Sequence, residues 1–457
     1  MFQPTEIKHI MENINKIKLD AAIEYKTNNE PTIEENVKIY KKLLEFIIEN
    51  KRILYGGTSQ NKLIKMKNSN DTFYTNYNDV NFNKDNFSIA DIEFYSPTPE
   101  ADVVKLCNIF KKLNYRFVEA KNGVHEDTYK IFINLTNYCD ISYIPKIIAD
   151  KLPTIMLNNV ISMPLEFMMI DYFRILTDPL TSYWRLDKSL ERFNKLFYYY
   201  PILEYKSNKD FDKLLESKVD NGEIMNFIMD NIIEKFECVI IGYYALHKLI
   251  DTKYIPFIDI ILGRDYVISA KKIYEILINK YKDDITVREF FPFFQFHDAR
   301  VQFYHKNIHI LTVYRNNNKC ITYNKNIKHK SFKFGNCNLV MMYFLISYYN
   351  GIIAKFKNNN ILFYILQLLN HSRYNFFKKN NKTIFDNTVF KDFTTDCIGE
   401  TCDTIRQSLI NRMNGLNNFY YNPDQLERSR KSRSKKKNND KIDISGNRIF
   451  NKKYLIF

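Results

Sequence analysis

Glycine is scarce, at 11 of 457 residues, roughly a third of what average usage supplies. Tyr (33), Phe (36), Lys, Asn and Ile are abundant instead. These residues share A/T-only codons, so the bias is that of an A/T-rich coding sequence, and runs such as Asn316 to Asn318 or Asn358 to Asn360 read as loops. The seven cysteines include no C-x-x-C pair, which argues against a disulfide framework or a zinc module and predicts free thiols in a reducing compartment. The closest pair, Cys397 and Cys402, has no second pair of ligands nearby, and His305 with His309 falls in strand sequence. No apolar run reaches the ~20 residues of a membrane span; the longest nearly uncharged stretch is Cys337 to Tyr349. Met1 to Asp20 alternates charged and apolar residues at helical spacing, unlike a secretory signal. The expectation is a soluble intracellular protein with no membrane partner.

What is present describes a globular chain: 45% apolar, 15% aromatic and 26% charged residues, in a length that suits two or three domains. Lys plus Arg outnumber Asp plus Glu by 67 to 52, a net charge of +15, which favours a polyanionic partner such as nucleic acid or nucleotide. Seven of those charges fall between Arg428 and Lys437, leaving about +8 (15 minus 7) for the rest. That segment reads as a basic, solvated tail.

Four regions follow from the periodicity: an N-terminal helical region (1–50), a unit over 51–200, a second unit over 201–422 and the tail (423–457). Thr32 to Asn50 is an amphipathic helix opened by the capping box Thr32-Ile33-Glu34-Glu35. Ile53-Leu54-Tyr55 is a short strand, Gly56-Gly57 a turn, and Thr58-Ser59 the start of a helix. After a polar loop, Ser69 to Ser88, come strands at Ile89 to Tyr95, Tyr115 to Ala120, Thr128 to Asn134 and Asn137 to Tyr143, with a helix from Pro99 to Leu113. The order then repeats. Val239 to Tyr243 is strand and turn, Phe257 to Ile261 a strand, Ser269 to Tyr281 a helix, and Arg300 to Tyr304 and Ile308 to Tyr314 are strands before an apolar helix from Asn338.

Asp91 and Glu93, two apart on a strand, project from one face while Ile92 and Phe94 turn to the core. Asp140 sits in another alternating strand, and sheet neighbours bring all three carboxylates together. Like charges so close raise each other's pKa unless cations compensate them, and an all-oxygen set suits a hard ion such as Mg2+ or Mn2+. Gly56, Gly57, Thr58 and Ser59 form the complementary half: backbone amides at a helix start and two hydroxyls, a cradle for phosphate. Each motif alone also has a bland reading, a tight turn or a solvated strand face. Their order on one mixed sheet is more specific.

That order, hG[GS] followed by Dh[DE]h and a third carboxylate, resembles the DNA polymerase β-like nucleotidyltransferases. The spacing departs from the family: 32 residues, 59–90, separate Thr58 from Asp91, and the polar loop absorbs the surplus. In the repeat, Ile241-Gly242-Tyr243 keeps one glycine, Asp259 takes the place of the first carboxylate, Ile261 stands where the second belongs, and Leu311-Thr312-Val313 replaces the third. An active nucleotidyltransferase fold of mixed sheet and helices (α+β), followed by a degenerate copy, resembles the viral poly(A) polymerase catalytic subunits of poxviruses and giant amoebal DNA viruses.

The resemblance implies attack of an RNA 3′-hydroxyl on the α-phosphate of ATP. It implies two ions held by Asp91, Glu93 and Asp140, with Gly57, Thr58 and Ser59 on the β- and γ-phosphates. Arg174, Arg185, Lys188 and Arg192 are candidate contacts for triphosphate or primer, and Tyr172, Tyr183 and Trp184 for a base, against the plainer readings of solvated cations and core aromatics. It further implies a homodimer or a processivity subunit as partner, and a place in the virion and the host cytoplasm, in the viral factory. The base is not fixed by any residue. Uridylyl or small-molecule adenylyl transfer, or a noncatalytic RNA-binding scaffold, are the alternatives.

Overall fold

The structure, a computed structural model, describes residues 2–29, 33–72, 92–123, 127–290, 292, 299–316, 320–354, 359–399, 410 and 419–424. Thr32, Ile89 to Asp91, Cys402, most of the Ser69 to Ser88 loop and all of the basic tail after Asp424 lie outside the described residues. The chain divides into two compact units, the first built mainly from residues 1–150 and 154–163, the second from 151–153 and 164–399.

In the first unit the helix Ile33–Glu49 turns Ile39, Leu43, Phe46 and Ile47 inward at three- and four-residue spacing. They pack with Val103, Leu106 and Phe110 of the helix Pro99–Lys112 on one face of a mixed sheet. Its strands are β1 (Ile53–Tyr55), β2 (Ile92–Ser96), β3 (Glu119–Asn122), β4 (Thr128–Ile133), β5 (Thr136–Tyr143), β6 (Ile155–Leu157) and β7 (Val160–Ser162). They lie in the order β3-β4-β5-β2-β1-β7-β6, with the strand Tyr420–Tyr421 outside β3. Leu54, Ile92, Phe94, Ile131 and Ile141 fill the helix-covered face. β4 and β5 join through Asn134 and Leu135, both at positive φ (48° and 70°), the two-residue turn whose twist matches that of the strands. The expected strand Tyr115 to Ala120 begins only at Glu119, because Asn114 and Phe117 take positive φ (64° and 48°), which breaks extended backbone.

The second unit holds β8 (Cys238–Ile241), β9 (Ile258–Leu262), β10 (Ile285–Phe290), β11 (Arg300–His305), β12 (Ile308–Tyr314), β13 (Ile321–Thr322), β14 (Lys333–Phe334) and β15 (Cys397–Ile398). The sheet order β10-β11-β12-β9-β8-β14 repeats β3-β4-β5-β2-β1-β7 position for position. Parallel and antiparallel pairings agree at every step, so the repeat is a second copy of one α+β fold. The helix Cys337–Ala354 extends five residues beyond the stretch expected to end at Tyr349, to 18 residues. It is long and apolar enough to cross a membrane by composition, yet 72% of it is buried. It packs on the helices Leu165–Leu176, Gly242–Ile250 and Asn360–Asn380. The expectation of free thiols holds for Cys107, Cys139, Cys238 and Cys337, all buried. It fails for Cys320 and Cys397, which pairing of β13 with β15 brings together as a disulfide; 77 residues of separation hid the pair from a spacing argument.

Arg52, just ahead of β1, grips Asp102 in two-pronged fashion, Nε to Oδ2 at 2.6 Å and Nη2 to Oδ1 at 2.8 Å. Both side chains are largely buried, at 16% and 5% exposure, so removal of one partner strands the other. Arg52→Met is expected to lower unfolding free energy by about 3–5 kcal/mol, and Arg52→Met with Asp102→Leu to recover most of it. Urea denaturation of the three proteins measures both.

Candidate active site

β1 runs into the helix Gly56–Lys67 without an intervening turn, so the helix starts at Gly56 and not at Thr58. Gly56 sits at φ +68°, and a Cβ there would lie 1.7 Å from Glu93 Oε2. Only glycine fits, because the carboxylate occupies the space a side chain would take. Antiparallel pairing places Tyr55 opposite Glu93, and Glu93 Oε2 accepts from the Gly57 amide at 3.0 Å. An acid thus caps the positive end of the helix. Thr58 is partly buried. Ser59 is fully buried, and its Oγ has no hydrogen-bond partner among the described residues.

Parallel pairing of β2 with β5 sets Glu93 beside Asp140 on the sheet face away from the helix-covered core. Asp140 Oδ1 accepts from Asn137 Nδ2 at 3.1 Å, and Oδ2 accepts from Lys130 Nζ at 2.5 Å. Beneath the two acids Tyr55 stacks on Tyr95 with ring centroids 4.0 Å apart. The Tyr55 hydroxyl meets Ser142 Oγ at 2.8 Å. Lys130, Asn137 and the capping role of Glu93 were not foreseen from the sequence; the signal available for Lys130 was its place on the face of β4 that alternates with Tyr129 and Ile131.

The structure therefore brings together Gly56, Gly57, Glu93 and Asp140 in the first unit. Asp91 is outside the described residues, and among those described no group of three His, Cys, Asp or Glu side chains gathers as a metal cluster. Glu93 and Asp140 nevertheless set carboxylate groups side by side on a partly buried face, a donor set that fits a hard divalent ion. Arg174 and Lys188 belong to the second unit, on the helices Leu165–Leu176 and Leu186–Tyr199. Arg174 is tied to Asp171 at 2.7 Å. Of the aromatic candidates, Tyr172 is buried in the core, whereas Tyr183 and Trp184 are exposed.

The second copy corrects the alignment expected of it. Gly242, at φ +64°, would set a Cβ 2.2 Å from Asp259 Oδ2. Ile241 pairs with Asp259, and Asp259 with Thr312. Asp259 is thus the counterpart of Glu93, not of Asp91; Phe257 takes the place of Asp91, and Thr312 that of Asp140. Two of three acidic positions are still lost.

The profile of the family described as "Poly(A) polymerase catalytic subunit" matches residues 41–182. The C-terminal-domain profile of the corresponding mimivirus (APMV) catalytic subunit matches residues 186–457. The chain belongs to the poly(A) polymerase catalytic subunit family. A protein of Acanthamoeba polyphaga mimivirus named "Putative poly(A) polymerase catalytic subunit" is 30% identical over 514 aligned positions, spanning 100% of this chain and 84% of that one. Its African swine fever virus namesake (isolate Tick/South Africa/Pretoriuskop Pr4/1996) is 24% identical over 196 residues, 42% of this chain and 38% of that one. The crystal structure of the Megavirus polyadenylate synthase superposes with a TM-score of 0.77 at 28% identity, covering 95% of this chain and 91% of that one. Members of this family are nucleotidyltransferases, and the chain is a poly(A) polymerase catalytic subunit with a mixed-sheet α+β fold.

Two predictions follow from the paired glycines. Gly56→Ala must displace the Glu93 carboxylate, and a displacement near 1 Å is expected to cost about 10²-fold in primer extension, read from initial rates. Burial pushes the Asp259 carboxyl up to about 7, against the opposing pull of the Thr312 hydroxyl and Arg300. Between the ordinary carboxylate range and pH 7 the folded state keeps a proton that the unfolded chain has released. Stability therefore falls as pH rises, by up to ~1.4 kcal/mol per unit, and levels off above pH 7. Asp259→Asn should lack that slope when unfolding free energies at pH 5 and pH 8 are compared with wild type.

Proposed function

We propose that this chain adds AMP from ATP to the 3′ ends of RNA and thereby tails viral mRNA, using two ions, Mg2+ or Mn2+, at Asp91, Glu93 and Asp140. The observation that supports it best is the adjacency of Glu93 and Asp140, in register on one sheet face, at the amide-bearing start of the helix Gly56–Lys67. Divalent ions bound there supply charge neutralisation for the triphosphate and acidify the attacking hydroxyl. The chain's own groups do the rest. With the Gly57 amide engaged by Glu93, the amides of Gly56 and Thr58 offer the positive end of the helix to the β- and γ-phosphates, with the Thr58 hydroxyl beside them. Asp140 orients the RNA 3′-hydroxyl and accepts its proton, so that O3′ bonds to the α-phosphorus while the bond to pyrophosphate breaks.

The Gly57 amide holds Glu93 through Oε2, which fixes the carboxylate at the start of the helix. Arg174 and Lys188 remain proposed cations for triphosphate or primer. A homodimer or a processivity subunit, and residence in the virion and the host cytoplasm, belong to the same reading.

The decisive experiment incubates the pure protein with Mg2+ or Mn2+, a short labelled RNA and each NTP in turn, and reads primer length on a gel. A ladder with ATP alone is expected. A ladder with UTP moves the base preference, and no ladder with any nucleotide returns the protein to an RNA-binding scaffold. Asp91→Ala and Asp140→Ala should each cut extension by about 10²–10³-fold or more, while Asp259→Asn retains it.

A further inference from the structure

Across the open face of the first sheet, cross-strand pairing aligns four side chains in one row. Glu93 on β2 pairs with Asp140 on β5, Asp140 with Lys130 on β4, and Lys130 with Lys121 on β3. Tyr420 pairs with Lys121 at the end of the row. Neighbouring strands lie ~4.8 Å apart, so Lys121 stands ~14 Å from Glu93. The row reads acid, acid, cation, cation. The amides of Gly56 and Gly57 flank its acidic end, and the lysines its other end.

In-line displacement fixes which substrate approaches from which side. The leaving pyrophosphate departs toward the amide cradle beside β1, and the attacking O3′ enters from the opposite side. That side is Asp140, then β4, then β3. We propose that Lys130 and Lys121 hold the phosphodiester backbone of the RNA strand next to its reacting 3′ end, a track laid across the sheet face; this rests on the function proposed above.

The chemistry of the two side chains suits the task. An ammonium carries three donors. Lys130 places its Nζ at 2.5 Å from Asp140, and Lys121 its Nζ at 3.3 Å from Glu119 Oε1. Each therefore keeps donors for phosphate oxygens. Glu119 is the acid facing this track; it also accepts from the Tyr420 hydroxyl at 3.0 Å. The Lys121–Glu119 pair is partly exposed, at 47% and 23%, and such pairs hold by only ~0.2–1 kcal/mol. A phosphodiester displaces it readily. Phe132, under Lys121 Nζ at 4.0 Å, adds an aromatic ring on the same face.

The second copy supplies an internal control. Gln302 pairs with Thr312 as Lys130 pairs with Asp140. Where the nucleophile-side acid became threonine, its lysine became glutamine, so Lys130 goes with Asp140, whereas Arg288 keeps a cation at the place of Lys121.

The test measures binding of a fluorescein-labelled oligo(A) to full-length protein in EDTA across a salt series, alongside extension kinetics. Lys121→Met and Lys130→Met are each expected to raise the RNA Kd about fivefold or more and to lower the log Kd–log salt slope by about 0.7. Lys130→Arg should restore both. The RNA KM should rise in parallel, with the ATP KM moving little. A Lys130→Met enzyme with reduced kcat but wild-type RNA affinity and slope would reduce Lys130 to a support for Asp140. Wild-type binding by Lys121→Met as well would overturn the track while leaving the polymerase reading intact. Failure of the wild-type enzyme to extend RNA would instead strike the function itself.

Discussion

The contact between the Glu93 carboxylate and the N-terminus of the helix Gly56–Lys67 organises everything else in the first unit. It requires a residue without a Cβ at position 56, because the space is filled by Glu93 Oε2. It requires β1 and β2 to be antiparallel neighbours with Tyr55 opposite Glu93. It also ties the proposed cation site to the proposed phosphate site through one side chain, so neither can shift alone. The acid gains from the helix dipole, and the first-turn amides gain a partner they would otherwise lack.

The degenerate copy separates what this contact does for folding from what it does for chemistry. Gly242 and Asp259 preserve the arrangement, although Thr312 has replaced the acid on the neighbouring strand and Phe257 stands two residues before Asp259. A buried acid against a glycine-started helix is therefore retained in a sheet that has lost the means to gather cations. In the first copy the same contact is partly buried and accompanied by Asp140. Burial of Asp259 raises its pKa, whereas Glu93 opens onto a polar face shared with Asp140, Asn137 and Lys130. Solvation and neighbours, not the contact itself, distinguish the active copy.

Much of this was legible in the sequence, and the gaps have physical causes. The helix Ile33–Glu49 was visible in its apolar spacing, and the duplicated order of elements in the spacing between motifs. Glu93 and Asp140 were visible because alternation assigns strand residues to faces. Register was not. Asp259 seemed to match Asp91 because both precede an apolar residue, but β-pairing counts from the glycine across the strand pair, which moves it to Glu93. The Cys320–Cys397 pair depends on two short strands meeting, a contact that no local pattern announces. The glycine pair looked like a device for phosphate alone, since nothing in a linear motif shows that a carboxylate already fills the space above Gly56.

Two carboxylates side by side on a sheet face repel unless something balances them before substrates arrive. Here the balance is built in from both ends of the row. The helix amides at Gly57 hold Glu93, while Lys130 and Asn137 hold Asp140. Each acid thus has a donor of its own on the side away from the other, and the pair remains in register without a cation. The same arrangement sets a polarity across the face, from the amides of a helix start to the lysines of β4 and β3. A reaction that passes a phosphoryl group between two polyanions needs such a face: acids at the centre, where cations must sit, and positive charge on either side, where the phosphates of donor and acceptor come to rest. The second copy has Thr312 and Gln302 in place of Asp140 and Lys130, which fits that requirement for the acid and the lysine bound to it, while Arg288 still stands at the place of Lys121.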